Sequence, residues 1–321
     1  MLAFITQRLL TGFVTLFGVA AIVFLVMRVI PGDAAVMLTG AGAGVVSEEE
    51  LAQVRHKLGL DRSLPVQFAD WAGDVATLNF GTSLRTGNPV IADVKRRFPY
   101  TLQIVVMSML LAVCIGVPAG VMAARFMGSW LDRFIQAFSI GGLAAPSFWV
   151  GLLLILGLVK FFNWSAPLFW EPFWISPLKS TSQLIWPAIA VGLRQLALIA
   201  RMTRSIMLEV LGEDYIRTAR AKGLSEWNVV FHHGLRNGLL PVVTLVGFEF
   251  AALFGGLIIT ETVFSVPGLG QYVVTSILAR DYPAAQGIVL ILASIVVIGN
   301  LAIDLLYGVL DPRTRLQGAE T

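Results

Sequence analysis

Six stretches of this chain are long and apolar enough to cross a lipid bilayer, and that leaves little choice of fold. A hydrocarbon core of ~30 Å needs about 20 apolar helical residues to span it. Inside lipid, only helices and closed barrels satisfy their own backbone. Leu9–Met27, Thr101–Ala124, Phe134–Val159 and Pro283–Ile303 hold no charged side chain. Ser182–Ala200 holds only Arg194, and Gly238–Thr260 only Glu249. Prolines interrupt four of the stretches, at Pro118, Pro146, Pro187 and Pro241; membrane helices tolerate them because neighbours re-satisfy the freed carbonyls. The expected fold class is all-α, a polytopic membrane protein with six transmembrane helices.

Composition narrows the function classes. The chain of 321 residues is 56% hydrophobic and 13% charged, against about 25% charged in soluble domains. A soluble enzyme cannot hide that much apolar side chain, and disorder is excluded by the same excess. The net charge of +3 is spread thinly, so no nucleic-acid partner is implied. The single cysteine, Cys114, rules out an internal disulfide and a cysteine-based zinc cluster; in its apolar run it reads as a small buried hydrophobe. Arg8 gives the first stretch a basic start, but the run is longer than a signal-peptide core and no small-x-small cleavage site follows. It reads as a retained anchor.

Orientation follows the positive-inside rule. With the N-terminus in the cytoplasm, the inner segments carry Arg8, Arg125, Arg133, Arg313, Arg315 and a basic stretch from Arg201 to Arg236. The short outer loops carry only Lys160, Lys179 and Arg280, while Lys95-Arg96-Arg97 argues the other way. Both termini are therefore expected in the cytoplasm.

The loops are unequal. Residues 29–100 form an outer segment with two helical patterns, Ser47–Leu58, opened by a Ser47-x-x-Glu50 capping box, and Pro65–Leu78. They suit a small external subdomain. Phe161–Trp174 is dense in aromatics, as an interfacial belt is. Residues 201–237 form a long polar inner loop that reads as Arg204–Leu211, Glu213–Ala221 and Ser225–Phe231. Gly223 suits a helix C′ position and Ser225 an N-cap. Within it, small residues (Ala219, Ala221, Gly223) alternate with cations (Arg217, Arg220, Lys222). Such a helix can enter a groove on a partner or lie on anionic lipid.

The run Asp214-Tyr215-Ile216-Arg217-Thr218-Ala219-Arg220-Ala221-Lys222-Gly223-Leu224, followed by Leu235-Arg236-Asn237 and Pro241-Val242-Val243, resembles the EAA loop of ABC importer permeases. It is most similar to the dipeptide/oligopeptide/nickel branch. Arg217 stands where the general pattern has Glu, and the gap from Gly223 to Pro241 is longer than the general one, both as in this branch. The likeness extends along the chain: Arg28–Asp33, Gly59-Leu60-Asp61, Phe80-Gly81-Thr82-Ser83, Pro146-Ser147-Phe148-Trp149, Glu261–Gly270, Asp281-Tyr282-Pro283, Asp304–Tyr307 and Asp311-Pro312-Arg313. Asn79 replaces the Asp usual before Phe80.

The resemblance implies one permease domain over residues 1–321 in a bacterial cytoplasmic (inner) membrane. It implies a sister permease, two ABC ATPase subunits that bind ATP and magnesium, and an external solute-binding protein. Asp214, Tyr215, Arg217, Thr218, Ala219, Arg220, Ala221, Lys222, Gly223 and Leu224 would dock the ATPase, and solute would cross by alternating access. Peptides are the expected solute; nickel or another small solute is the alternative. A gradient-driven transporter is the rival class, but no internal repeat supports it.

No phosphate loop, His-Glu-x-x-His helix or Gly-x-Ser-x-Gly elbow is present, so neither a catalytic centre, a metal site nor a cofactor site is expected in this chain. Ionisable groups within spans are functional suspects. Glu249 lies ~12 Å along its helix from Pro241, near mid-membrane; it either lines the solute path or pairs with Arg194 or a backbone group. Arg194 is expected to snorkel. Gln103, Gln195 and Asn300 are the other candidates for the path, and Glu261 and Asp304 suit capping or interfacial roles.

Overall fold

The computed structural model describes residues 2–29 and 61–310, with isolated positions 49, 52, 53 and 56 between them. The Ser47–Leu58 pattern, the ends of the Arg28–Asp33 and Asp311–Arg313 motifs and Gly59-Leu60 therefore lie outside the described residues.

The described chain is helical. Its elements are α1 (Leu2–Val29), α2 (Leu64–Ala76), α3 (Val90–Arg125), α4 (Trp130–Ala144), α5 (Ser147–Phe162), α6 (Pro177–Leu211) and α7 (Asp214–Ala221). A π-helical turn (Asn228–Leu235) leads into α8 (Arg236–Gly256), then α9 (Ile258–Val263), α10 (Leu269–Leu278) and α11 (Tyr282–Leu310). Five helices, α1, α3, α6, α8 with its π-helical lead and α11, are long and apolar enough to cross a membrane.

The third expected span, Phe134–Val159, is broken and not continuous, and it makes a sixth candidate span when its two halves are taken together; because α3 and α6 run parallel, this segment returns the chain from the end of α3 to the start of α6. It is two helices, α4 and α5, meeting at 102°. At 15 and 16 residues each is ~22–24 Å long, short of a bilayer core. Pro146 causes the break. It has no N–H to donate and disfavours helix in the residue before it, and Ala145 is accordingly extended at φ −79°, ψ 122°. The Arg204–Leu211 pattern is also not a separate helix: it continues α6 without interruption, since no breaker precedes Gly212.

The centre is the parallel pair α3 and α6, and small residues set its close approach. A Cβ on Gly120 would lie 2.5 Å from the Ala200 carbonyl oxygen, and one on Gly116 would lie 3.0 Å from that of Leu196. Such small-x-x-x-small spacing is how helices associate in lipid, where burying apolar surface gives no advantage. Across the same seam Ser108 Oγ donates to the Ala188 carbonyl at 3.0 Å. α4 and α5 pack on α6, α8 packs on α11, and α1 packs mainly on α11. The outer face of α1, with Leu10, Phe13 and Ile22, is left exposed. Cys114 also corrects an expectation: it sits on an exposed face of α3.

Candidate coupling helix and intramembrane site

The parallel pair gives the bundle two ends. At one, Gln103 on α3 faces Ser180 on α6; at the other, Gly120 and Arg125 face Ala200 and the chain that follows α6. The coupling candidates lie at the second end.

α7 begins after Gly212, runs from Asp214 to Ala221 and ends at Gly223, whose φ of +78° suits glycine. Ile216 and Ala219 are buried against Val229 and Leu211. Ala219 thus faces its own chain. Asp214, Tyr215, Arg217, Thr218, Arg220, Ala221, Lys222, Gly223 and Leu224 are exposed. Arg217 pairs with Asp214 at 3.3 Å and Arg220 with Glu226 at 2.8 Å, while Asn237 donates to the Tyr215 hydroxyl at 2.9 Å. A short amphipathic helix is fixed by two apolar contacts, and its polar face is left open.

Beside it stands a clamp that sequence reading missed. Asp132, at the start of α4, accepts from Arg204 Nε at 2.5 Å and from its second nitrogen at 2.9 Å. Gly128 N–H and Gln136 complete the acceptor shell. The carboxylate is almost fully buried. Only the presence of an acid soon after the Gly128 turn hinted at it, because the partner is 72 residues away.

The opposite end joins the remaining motifs. Asp281 accepts from Ser83 Oγ at 2.5 Å, from Leu84 N–H at 3.0 Å and from Ala284 N–H at 3.3 Å. The Phe80–Ser83 and Asp281–Pro283 motifs therefore form one contact. Asp93 accepts from Thr86 at 2.8 Å and Tyr272 at 3.0 Å and pairs with Arg96; Arg97 lies 4.4 Å over the Tyr272 ring. The basic cluster at residues 95–97 is largely tied down in this way.

Glu261 keeps the expected capping role, since it accepts the Gln271 N–H in the first turn of α10, and only the interfacial role is corrected. It is fully buried. It accepts from Thr101 Oγ1 at 2.6 Å and from Gln271 N–H at 3.1 Å, and Leu269 N–H donates to Thr101 at 2.8 Å. Cβ atoms on Gly268 or Gly270 would strike its carboxyl group. The glycines of the Glu261–Gly270 motif make room for that hub. Burial pushes the Glu261 carboxyl up to about 7, against the pull of those hydrogen bonds.

The four residues expected to line a solute path do not form one group. Gln195 Nε2 donates to Glu249 at 2.9 Å, which joins α6 to α8. Gln103 instead accepts from Ser180 at 2.8 Å, ~22 Å away along α6. Asn300 lines the groove between α1 and α11, where Arg8 and Asp304 pair at 3.2 Å. Arg194 does not pair with Glu249; it opens onto a cavity of about 410 Å³ at the α4–α5 break.

Two family descriptions match the chain: "Binding-protein-dependent transport system inner membrane component" over residues 116–316, and its N-terminal region over residues 1–105. A di/tripeptide transport system permease of Pseudomonas aeruginosa is 40% identical, covering 99% of this chain and 100% of its own length. A dipeptide transport system permease of Escherichia coli K12 is 39% identical, covering 98% and 99%. An amino acid ABC transporter crystallised with histidines shares the fold at 14% identity, with a TM-score of 0.51 over 70% of this chain and 94% of that one. This chain belongs to the binding-protein-dependent transport system inner membrane components, the multi-pass permease subunits of ABC importers, which carry no ATPase site of their own.

Proposed function

We propose that this permease imports peptides, together with a sister permease, two ATPase subunits that bind ATP and magnesium, and an external solute-binding protein. The peptide reading rests on the relatives: two that match end to end are named for di/tripeptides and dipeptides. Those names favour peptides over the nickel alternative.

One observation carries the coupling reading. α7 seats two apolar residues on Val229 of the π-helical turn, with Leu211 at the end of α6 beside them, and turns its polar face away from the bundle. α6 is a single helix of 35 residues, ~52 Å long, from the opposite end of the bundle to that seat. A force on α7 is therefore delivered through Val229 to the π-helical lead of α8 and through Leu211 to the end of α6, and from Arg204 through its clamp with Asp132 to α4. On this reading both termini and residues 201–237 face the cytoplasm, and residues 29–100 meet the binding protein outside. ATP binding closes the ATPase pair and moves α7; the cavity between the two permeases then opens outward, and hydrolysis resets it.

The test is purification of the tagged chain with whatever it retains, followed by ATPase and uptake assays in proteoliposomes. ATP hydrolysis stimulated by binding protein plus dipeptide, with dipeptide accumulation, is the expected result. Uptake driven by an ion gradient without ATP would overturn the importer reading; stimulation by nickel and not by peptide would overturn the substrate. Gly223→Trp, at a position with φ +78°, is expected to uncouple peptide from ATP hydrolysis.

A further inference from the structure

Arg194 is an unusual cation. It lies at the middle of α6, about 25 Å along the axis from either end, and has no ion pair among the described residues. No acid among the described residues meets its charge, and an ionisable group within a span is a functional suspect. Its surroundings are a hollow of about 410 Å³ lined also by Gln195, Pro146 and Ser147. Gln195 is buried, and its Nε2 is committed to Glu249. That fixes the amide and leaves its Oε1 without a partner.

Seven residues along α6 the pattern repeats. Arg201 is exposed and without an ion pair among the described residues, and it lines a second hollow of about 340 Å³ with Gln136, Ser139 and Ser205. Ser139 is buried and its Oγ has no partner. Residues seven apart share a helix face and lie ~10 Å apart along the axis. Both hollows sit in the seam between α6 and the broken α4–α5 element. Arg204, in contrast, is held by Asp132 and is not available.

Each hollow therefore has one guanidinium without an ion pair among the described residues and one buried oxygen without a partner in its lining, Gln195 Oε1 on α6 beside Arg194 and Ser139 Oγ on α4 across from Arg201. A guanidinium binds a carboxylate through paired hydrogen bonds, and an orphaned oxygen accepts an N–H. The C-terminal residue of a peptide presents that combination, a carboxylate with its own backbone N–H beside it. We propose that Arg194 with Gln195, and then Arg201 with Ser139, are two successive receptor sites for the C-terminal carboxylate of the transported peptide. This rests on the peptide reading. A track of two weak sites suits transport, since each must hold the solute without trapping it.

The experiment uses the complete transporter in proteoliposomes, with its binding protein saturated by a dipeptide or by the same dipeptide as its C-terminal amide. The ratio of maximal uptake rates, acid over amide, is measured for wild type, Arg194→Gln, Arg201→Gln and Arg194→Lys. Comparing variants at constant binding protein cancels that protein's own preference. Losing one charge-assisted contact should lower the ratio by about tenfold in each Gln variant, with Arg194→Lys in between. An unchanged ratio in both Gln variants overturns the inference. If Arg194→Gln does not assemble, Arg194→Lys and Arg201→Gln decide by the same ratio. Equal loss for acid and amide that follows the anionic lipid content of the vesicle would assign the cations to lipid phosphate and also overturn it. If wild type accumulates neither peptide, the peptide reading itself fails.

Discussion

Gly120 is the position where the α3–α6 seam leaves least room, and Gly120→Ala measures that closeness. The added Cβ would lie 2.5 Å from Ala200 O, 2.6 Å from Thr203 Cβ and 3.0 Å from Arg204 N. Ordinary contact is ~3.5–4.0 Å, so the helices must separate by about 1 Å. Two of the three obstructing atoms are backbone and cannot rotate aside. Forcing a methyl into such a seam destabilises by about 1–3 kcal/mol. Alanine is the better helix former by about 1 kcal/mol, so the net effect is at most about 2 kcal/mol. Gly141→Ala is the control, because a Cβ there meets nothing within 4 Å and only the propensity gain remains. The assay is thermal unfolding of the detergent-solubilised complex, with ATPase stimulation beside it. Gly120→Ala should melt below Gly141→Ala, with Gly116→Ala between them. It should also weaken stimulation, since the displaced turn carries Arg204. Gly120→Ala melting at or above Gly141→Ala would refute the close approach of α3 and α6.

Asp132→Ala should destabilise by about 3–5 kcal/mol, because it leaves a guanidinium without its buried partner. The double variant with Arg204→Ala should be less severe than the sum of the two single ones, as a double-mutant cycle in the same melting assay would show. Glu261 lies beyond the end of α8 with its carboxyl raised from 4.5 to about 7. A raised folded-state pKa gives stability that is present at low pH and lost as pH rises from about 4.5 through 7. Glu261→Gln should flatten that part of the melting-temperature profile, and an unchanged slope would show that another group titrates.

The boundaries of α2 and α7 were legible because their signals are local: a proline at the start of one, glycines on both sides of the other. The break at Pro146 was half legible. Proline marked the place, but apolar residues on both sides read as one run, and hydropathy carries no direction. The buried clusters were not legible at all. Ser83 and Asp281 are 198 residues apart, Thr101 and Glu261 160. Of the four expected path residues, only Gln195 and Glu249 meet, because helical spacing fixes a residue's face but not which helix it faces.

The sequence by itself determined the membrane environment, the helical class and the short amphipathic element between α6 and α8. Each follows from hydropathy, periodicity or a cap read within a few turns of chain. Only the tertiary structure decided that α4 and α5 meet at 102°, that Glu261 is a buried hub, and that Arg194 and Arg201 open onto hollows while Arg204 is clamped. These three arginines share one helix and one side-chain chemistry. What separates them is whether an acid on another helix arrives within hydrogen-bonding distance, and packing alone sets that.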